Sequence, residues 1–266
     1  MDIVMIRPGV SIAYQDHCFV APWMTPQTIV AVHGNAESSR AWTRWIPRLA
    51  GMYRLVLPDM PGFGASSEPP GYGWTVTELA ADLERFLDAL DIAKCHLIGA
   101  KYGGSVATQI AIDHSDRLFS LALFGSPVRG SGSGNADMIR MLGVRQWAAD
   151  TQRGRLGSAV SAAQIAWWTD ELMGKTDARA AYAASAARID MDLEGSLSRI
   201  ACPTLIVTTK ESGLQSVAAV EAYARRIPDS RLIVLPGDSY HIAAAEPAVC
   251  VAHLVEFLRD ISGETV

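Results

Sequence analysis

Apolar residues along the chain form two kinds of pattern, short continuous runs and longer stripes at helical spacing. Residues 75–90 place Val76, Leu79 and Leu83 on one face, as an amphipathic helix does, and residues 38–50 show a similar spacing. Continuous runs, which predict strands buried on both faces, occur at residues 28–32, 53–57, 95–98, 118–124 and 203–208. This alternation predicts an α/β fold with a mostly parallel central sheet and helices on both faces.

The pattern changes between residues 128 and 198, where the apolar runs lose their strand character. A glycine and serine run at 129–134 opens this segment, and helical spacing follows it. The predicted helices cover residues 136–142, 144–151, 159–173 and 178–188. We therefore predict an α/β core made of residues 1–127 and 199–266, interrupted by a helical cap at residues 128–198.

A glycine-rich junction at residues 97–105 connects one predicted strand to a helical pattern. Gly99, Gly103 and Gly104 surround Lys101, so the strand and the helix can pack closely and the turn between them can be sharp. Such a geometry holds the residue at its tip in a strained conformation and presents its side chain outward. The junction predicts that Lys101 is the residue presented.

Five short motifs follow one another along the chain: HGN at 33–35, DxxGxGxS at 59–66, GxKxGG at 99–104, PTLIV at 203–207 and a late histidine, His241. Together they resemble the α/β-hydrolase superfamily across essentially the whole chain. The resemblance implies the α/β-hydrolase fold with a helical cap, and it makes the 97–105 junction the nucleophile elbow GxSxG. Lys101 then stands where the family carries its nucleophilic serine.

The resemblance also implies roles for the residues around the elbow. The backbone N–H groups of Asn35 and Tyr102 are expected to form an oxyanion hole, and His241 is expected to be the catalytic histidine. Substrate is expected to contact His33 and Gly34 of the same loop. From the cap, Trp167 and Trp168 are also candidates, but adjacent helical residues point about 100° apart, so at most one should face the pocket.

The acid that would orient His241 is less clearly indicated. The family usually carries an aspartate after the strand at 203–208, but Ser212 stands at that place. Glu211 is one residue away and is our expected acid, with Asp238 as a local alternative.

A lysine at the elbow suggests a changed mechanism. Attack of its amine on an ester would leave an amide, which is far harder to hydrolyse, whereas its attack on a ketone or aldehyde gives an imine. The main hypothesis is therefore C–C bond cleavage or decarboxylation through an imine or lysine-assisted carbonyl activation. One alternative is hydrolysis of an ester, lactone or similar bond by water that His241 activates, with Lys101 as a charge stabiliser. Another is a non-catalytic binding protein. A further alternative is that Lys101 is an engineered replacement of a natural serine.

The composition of the chain limits the classes of binding partner that we expect. The 266 residues carry a net charge of −5 with scattered basic residues, which does not favour nucleic acid. No run has the length of a signal peptide or a membrane span, so we expect a cytoplasmic protein with no membrane contact. The four cysteines are far apart, and we expect neither a metal nor a cofactor. The expected partner is a small-molecule substrate, with homodimer formation left open.

Overall fold

A computed structural model describes residues 1–130 and 134–263. Its eight strands form one sheet in the order β1-β2-β4-β3-β5-β6-β7-β8. The strand β2 runs antiparallel to both β1 and β4, and all other neighbours are parallel. The strands are β1 (Asp2–Arg7), β2 (Val10–His17), β3 (Thr28–Val32), β4 (Arg54–Pro58), β5 (Cys95–Ala100), β6 (Leu118–Phe124), β7 (Thr204–Thr209) and β8 (Ser230–Leu235).

Helices connect the strands and cover both faces of the sheet. In the described ranges they are α1 (Ile46–Leu49), α2 (Val76–Ala89), α3 (Tyr102–Asp113), α4 (Gly134–Leu142), α5 (Val144–Leu156), α6 (Ala162–Ala166), α7 (Ala178–Ala187), α8 (Val217–Ala224), α9 (Ile242–Ala245) and α10 (Pro247–Ser262). No helix among these residues combines the length and the apolar character needed to cross a membrane.

Two apolar cores, one on each face of the sheet, explain why the central strands have continuous apolar sequences. In β3, Val30 belongs to one core and Ile29 to the other, because successive side chains of a strand point to opposite faces. Leu97 and Ile98 of β5 divide in the same way. The predicted fold class, a mostly parallel α/β sheet of the α/β-hydrolase type, is confirmed.

Two predicted helices differ from the structure. The pattern at 38–50 is divided into a 3₁₀ turn at Ser39–Trp42 and the short α1, because Pro47 lacks an N–H group and can stand only in a first helical turn. The pattern at 159–173 begins as α6 and then widens into a π-helical turn at Trp167–Leu172. Such turns occur frequently at functional sites.

The segment between β6 and β7 is helical and contains α4 to α7. An isolated antiparallel bridge pairs Arg129 with Asp192, so the two ends of the segment lie side by side where it leaves and rejoins the core. Residues 131–133, the centre of the predicted glycine and serine linker, lie outside the described residues. The proposed boundaries of the cap, 128 and 198, stay a prediction.

Candidate active site

Lys101 lies at the tip of the sharp turn that joins β5 to α3. Its backbone has φ 53° and ψ −123°, a conformation that non-glycine residues rarely adopt. Close packing around the turn enforces it, since a Cβ atom on Gly103 would lie 2.3 Å from the carbonyl oxygens of Val32 and His33. The turn thus has the geometry that the sequence predicts for an elbow.

The Lys101 side chain forms a buried ion pair with Glu37. Its Nζ lies 2.5 Å from Oε1 of Glu37, and the two residues are only 5% and 1% exposed. The other carboxylate oxygen accepts a hydrogen bond of 3.0 Å from the backbone N–H of Gly34. A Cβ atom on Gly34 would lie 2.9 Å from Glu37 Oε1, so a side chain at that position would push the carboxylate away.

His241 completes the cluster from the loop after β8. Its Nε2 lies 3.1 Å from Oε1 of Glu37, the oxygen that also contacts Lys101, but neither ring nitrogen has a hydrogen-bond partner among the described residues. The contact with Glu37 is therefore electrostatic. The backbone N–H of His241 donates to the carbonyl of Arg155 at 2.9 Å, and the Trp168 ring packs edge-on against the imidazole with centroids 5.0 Å apart.

Burial and charge shift the ionisation of all three groups. Burial, with a smaller contribution from the positive charges of Arg155 and Arg188, lowers the pKa of Lys101 to about 8 against the opposing effect of Glu37. Burial also lowers the pKa of His241, so the imidazole is neutral at pH 7. Burial alone would raise the pKa of Glu37, but contacts with His241 and Lys101 bring it well below its ordinary value. At neutral pH the cluster is an ammonium–carboxylate pair beside a neutral imidazole.

The structure brings Lys101 and His241 together, and it places Glu211 elsewhere. Glu211 is exposed, and its backbone N–H donates to the carbonyl of Gly237. The Asp238 carboxylate accepts a hydrogen bond from the backbone N–H of Ser158 at 2.9 Å. The carboxylate beside His241 is therefore Glu37 rather than either acid that the sequence suggested.

The sequence patterns did not indicate Glu37, because this residue occupies no acid position of the resembled family. Ala36, the residue before it, has a positive φ of 58°, which turns the chain sharply after the HGN motif. The only local signal is its place two residues after Asn35, a predicted oxyanion-hole residue. A charged residue this close to a predicted site is a reasonable candidate even where no motif names it.

The two predicted oxyanion-hole residues lie on either side of the elbow. Tyr102 is the first residue of α3, a position whose N–H has no partner within its helix. No acceptor in the described part of the chain receives the N–H of Asn35, whose side chain donates to Ala181 and Ser185 of α7. Asn35 thereby connects this loop to the helices between β6 and β7. His33 has a structural contact: its Nε2 accepts from the N–H of Met60 at 2.9 Å.

The two tryptophans of the π-helical turn differ in burial but line the same cavity, so the prediction that at most one of them would face the pocket is wrong. Trp168 is buried against His241, whereas Trp167 is partly exposed and stacks below the guanidinium of Arg40 at 5.2 Å. Both border a mainly apolar cavity of about 340 Å³, whose other walls come from residues 40, 41, 43 and 44 and from Gln164, Ala243 and Ala244. This volume lies within the range of small-molecule pockets.

Metal ligation is not favoured by the residues at this site. Among residues 1–130 and 134–263, no group of three or more histidine, cysteine or acidic side chains is placed to hold a metal ion. Beside Glu37 and His241, the third polar group of the cluster is the ammonium of Lys101, which cannot ligate a cation.

Comparisons with known proteins identify the family. A model described as the alpha/beta hydrolase fold matches residues 27–166, more than half of the chain. A pimeloyl-[acyl-carrier protein] methyl ester esterase of Aeromonas hydrophila is 27% identical over 248 residues, covering 88% of this chain and 93% of the esterase. A 2-hydroxy-6-oxo-2,4-heptadienoate hydrolase of Pseudomonas putida is 35% identical over 101 residues, and this match spans only 37% of each protein.

A solved structure shares the architecture at lower sequence identity. The enol-lactonase of Burkholderia xenovorans LB400 superposes with a TM-score of 0.88 at 21% identity, covering 97% of this chain and 99% of that one. At this identity the likeness supports the fold alone, which agrees with the family match and with the strand order. The chain therefore belongs to the α/β-hydrolase family.

Proposed function

We propose that this protein hydrolyses an ester or lactone bond of a small substrate, with water rather than a side chain as the nucleophile. The observation that carries the proposal is the buried ion pair of Lys101 and Glu37 at the tip of the elbow, with His241 on the same carboxylate oxygen. The name of the esterase relative supports this reaction class.

The ion pair gives Lys101 an electrostatic role. With a pKa of about 8 and a carboxylate 2.5 Å away, the amine is mostly an ammonium at neutral pH. An ammonium is not a nucleophile. The neutral amine would attack an ester to form an amide with the substrate's acyl group, and this amide would hydrolyse too slowly for turnover. Near the N–H groups of Asn35 and Tyr102, the positive charge instead stabilises the negative oxygen that develops on a carbonyl under attack.

His241 supplies the proton transfers. The oxygen of a water molecule adds to the substrate carbonyl carbon, and the unprotonated ring nitrogen of the neutral imidazole accepts the proton that the water loses. The resulting imidazolium lies 3.1 Å from Glu37 Oε1 and is stabilised by that negative charge. When the tetrahedral intermediate breaks its bond to the leaving oxygen, the imidazolium returns the proton to it. The products are a carboxylic acid and an alcohol, which remain one molecule if the substrate is a lactone.

C–C bond cleavage or decarboxylation through an imine on Lys101 is the second candidate. The burial of Lys101, which lowers its pKa to about 8, favours this candidate because part of the amine is neutral in mildly basic solution. The contact with Glu37 opposes it, since the carboxylate stabilises the charged form. Borohydride reduction in the presence of a ketone substrate distinguishes the two, because only an imine leaves a reduced adduct on Lys101.

A panel of small methyl esters and lactones tests the proposal, with acid release followed at constant pH. We expect turnover by the wild type and a loss of about 10²–10⁴-fold in His241→Ala, the range for removal of a general base. The matched control is His253→Ala, because His253 lies on α10 and pairs with Glu256 outside the site. No turnover of any substrate, with bound ligands recovered unchanged, would instead support a non-catalytic binding protein.

A further inference from the structure

Two arginines of the segment between β6 and β7 have charges that no carboxylate balances. Arg155 lies near the end of α5 and is only 4% exposed. Arg188 follows the last residue of α7, and its Nε is buried without a hydrogen-bond partner. In the described part of the chain neither guanidinium forms an ion pair. An uncompensated charge in a buried place is costly, which makes both residues unusual.

Arg155 is held in place by contacts that leave its charge available. Its Nε and Nη2 donate to the hydroxyl of Thr151 at 3.1 Å and 2.9 Å, and its guanidinium carbon lies 4.2 Å from the centre of the Trp147 ring. A hydroxyl and an aromatic face orient a guanidinium without neutralising it. The side chain is thus fixed before any anion binds, which reduces the entropy cost of binding.

Hydrogen bonds connect the backbone of Arg155, and the helix that precedes Arg188, to the candidate active site. The carbonyl of Arg155 accepts hydrogen bonds from the N–H of His241 and from the hydroxyl of Ser239. Arg188 follows α7, the helix that binds the side chain of Asn35. In agreement with this placement, the charges of both arginines help to lower the pKa of Lys101, although burial is the larger cause.

Among the described residues, Lys101, Arg155 and Arg188 contribute three positive charges and share a single ion pair, that of Lys101 with Glu37. On α5, Gln152 lies three residues before Arg155 and therefore close to the same helix face. Gln152 is fully buried, and neither polar atom of its side chain has a partner. Buried polar groups without partners indicate a missing ligand.

We propose that Arg155 and Arg188 form a binding site for an oxyanion group of the substrate, a carboxylate or a phosphate. Guanidinium groups bind both anions through paired N–H donors. The inference deepens the proposed function, on which it rests: the substrate is an ester or lactone whose other end carries this anionic group. The anion would supply the missing negative charge and would place the carbonyl carbon over the elbow.

Calorimetric titration of the whole protein tests the site without requiring turnover. The probes are succinate and inorganic phosphate, with dimethyl succinate as the uncharged counterpart. We expect one of the anions to bind and the diester to bind at least about tenfold more weakly, because the diester has no charged oxygens to accept the paired N–H groups of a guanidinium. Which anion binds more tightly distinguishes a carboxylate site from a phosphate site. Equal binding of the diester, or binding of none of the three probes, would overturn the proposal.

Variants locate the site. Arg155→Met and Arg188→Met should each weaken binding of the preferred anion at least about tenfold. The control is Arg225→Met, because Arg225 is an exposed residue that directly follows α8 and pairs with Glu221. Unchanged anion affinity in both folded variants would also overturn the proposal.

Kinetics separate this inference from the proposed function. A charged monoester such as monomethyl succinate should be hydrolysed with a higher kcat/KM than dimethyl succinate by the wild type, and the preference should vanish in Arg155→Met. Anion binding without hydrolysis would remove the proposed function and keep the site. Hydrolysis of both esters without a preference for the charged one would overturn the anion site and keep the proposed function.

Discussion

Two buried carboxylates in this protein have opposite surroundings. Asp82 accepts hydrogen bonds from Arg7 at 2.6 Å and 2.8 Å, from the Tyr72 hydroxyl at 2.9 Å and from Arg85 at 2.8 Å. Both of its oxygens are occupied by donors. Glu37 also contacts donors on both oxygens, but the groups around it are incompletely paired, including both ring nitrogens of His241.

From this difference we infer that Asp82 belongs to a structural polar cluster and Glu37 to the candidate active site. Around Asp82, every donor named above has its acceptor, so the cluster fixes β1 and α2 together. Around Glu37, excess positive charge and unpaired polar atoms persist in a buried place. Buried polar clusters with unpaired members are costly, and binding and catalytic sites often contain them.

The largest expected effect is on catalysis. Lys101→Met should lower kcat for the best ester or lactone by about 10²–10³-fold, as loss of a group that stabilises an oxyanion does. Its free energy of unfolding should fall by about 3 kcal/mol, because the buried carboxylate of Glu37 loses its partner, so kcat is measured on the folded variant. Lys210→Met is the control, since Lys210 is exposed. Full activity of Lys101→Met would exclude both roles considered for Lys101.

The second effect is on stability alone. Asp82→Ala should lower the free energy of unfolding by about 3 kcal/mol, because several hydrogen bonds to a buried charge are lost together. Urea denaturation measures this value, and kcat of the folded variant should match that of the wild type. Asp88→Ala is the matched change, because Asp88 is an exposed acid of the same helix. A stable but inactive Asp82→Ala variant would contradict the division into two kinds of cluster.

The pH profile of kcat/KM tests the charge state of Lys101. In the hydrolytic mechanism the ammonium is required, so kcat/KM should fall about tenfold per pH unit once the pH exceeds the Lys101 pKa of about 8. On the acidic side it should fall where His241 gains a proton, below the ordinary histidine pKa, because burial lowers the pKa of this residue. A rate that rises through pH 8 would indicate the neutral amine and would favour the imine.

The smallest effect concerns the arginines. Arg155→Met should leave the free energy of unfolding unchanged or raise it by up to about 1 kcal/mol, because an uncompensated buried charge is removed while stacking on Trp147 is lost. Thermal and urea unfolding without added anion measure this change in the free energy of unfolding. If stability fell by more than about 1 kcal/mol, Arg155 would be a structural residue like Arg7.

Most of the fold was predictable because it depends on local patterns. The strands at residues 28–32 and 118–124 have the predicted bounds, since their apolar sequences match burial on both faces. The elbow was predictable from its glycines, whose lack of a side chain is required by contacts with neighbouring backbone. The helix predicted at 38–50 failed at Pro47, where a local backbone rule outweighs the apolar spacing.

The candidate site was only half predictable. Lys101 and His241 were found because each occupies a marked position after a strand. The pairing of Glu37 with Lys101 joins residues 64 positions apart and depends on the turn at Ala36, so no short pattern indicates it. The charge imbalance around Arg155 could not be inferred either, because a lone arginine in a helix is usually exposed.

The most direct test of the central claim is the mass of the products and of the protein after turnover in ¹⁸O-labelled water, with and without borohydride. The account predicts that a single turnover of an ester or lactone places one ¹⁸O atom in the released acid. It also predicts that the intact protein keeps its mass in both samples. An acyl group or a reduced adduct on Lys101 would contradict water as the nucleophile and would make Lys101 the covalent catalyst.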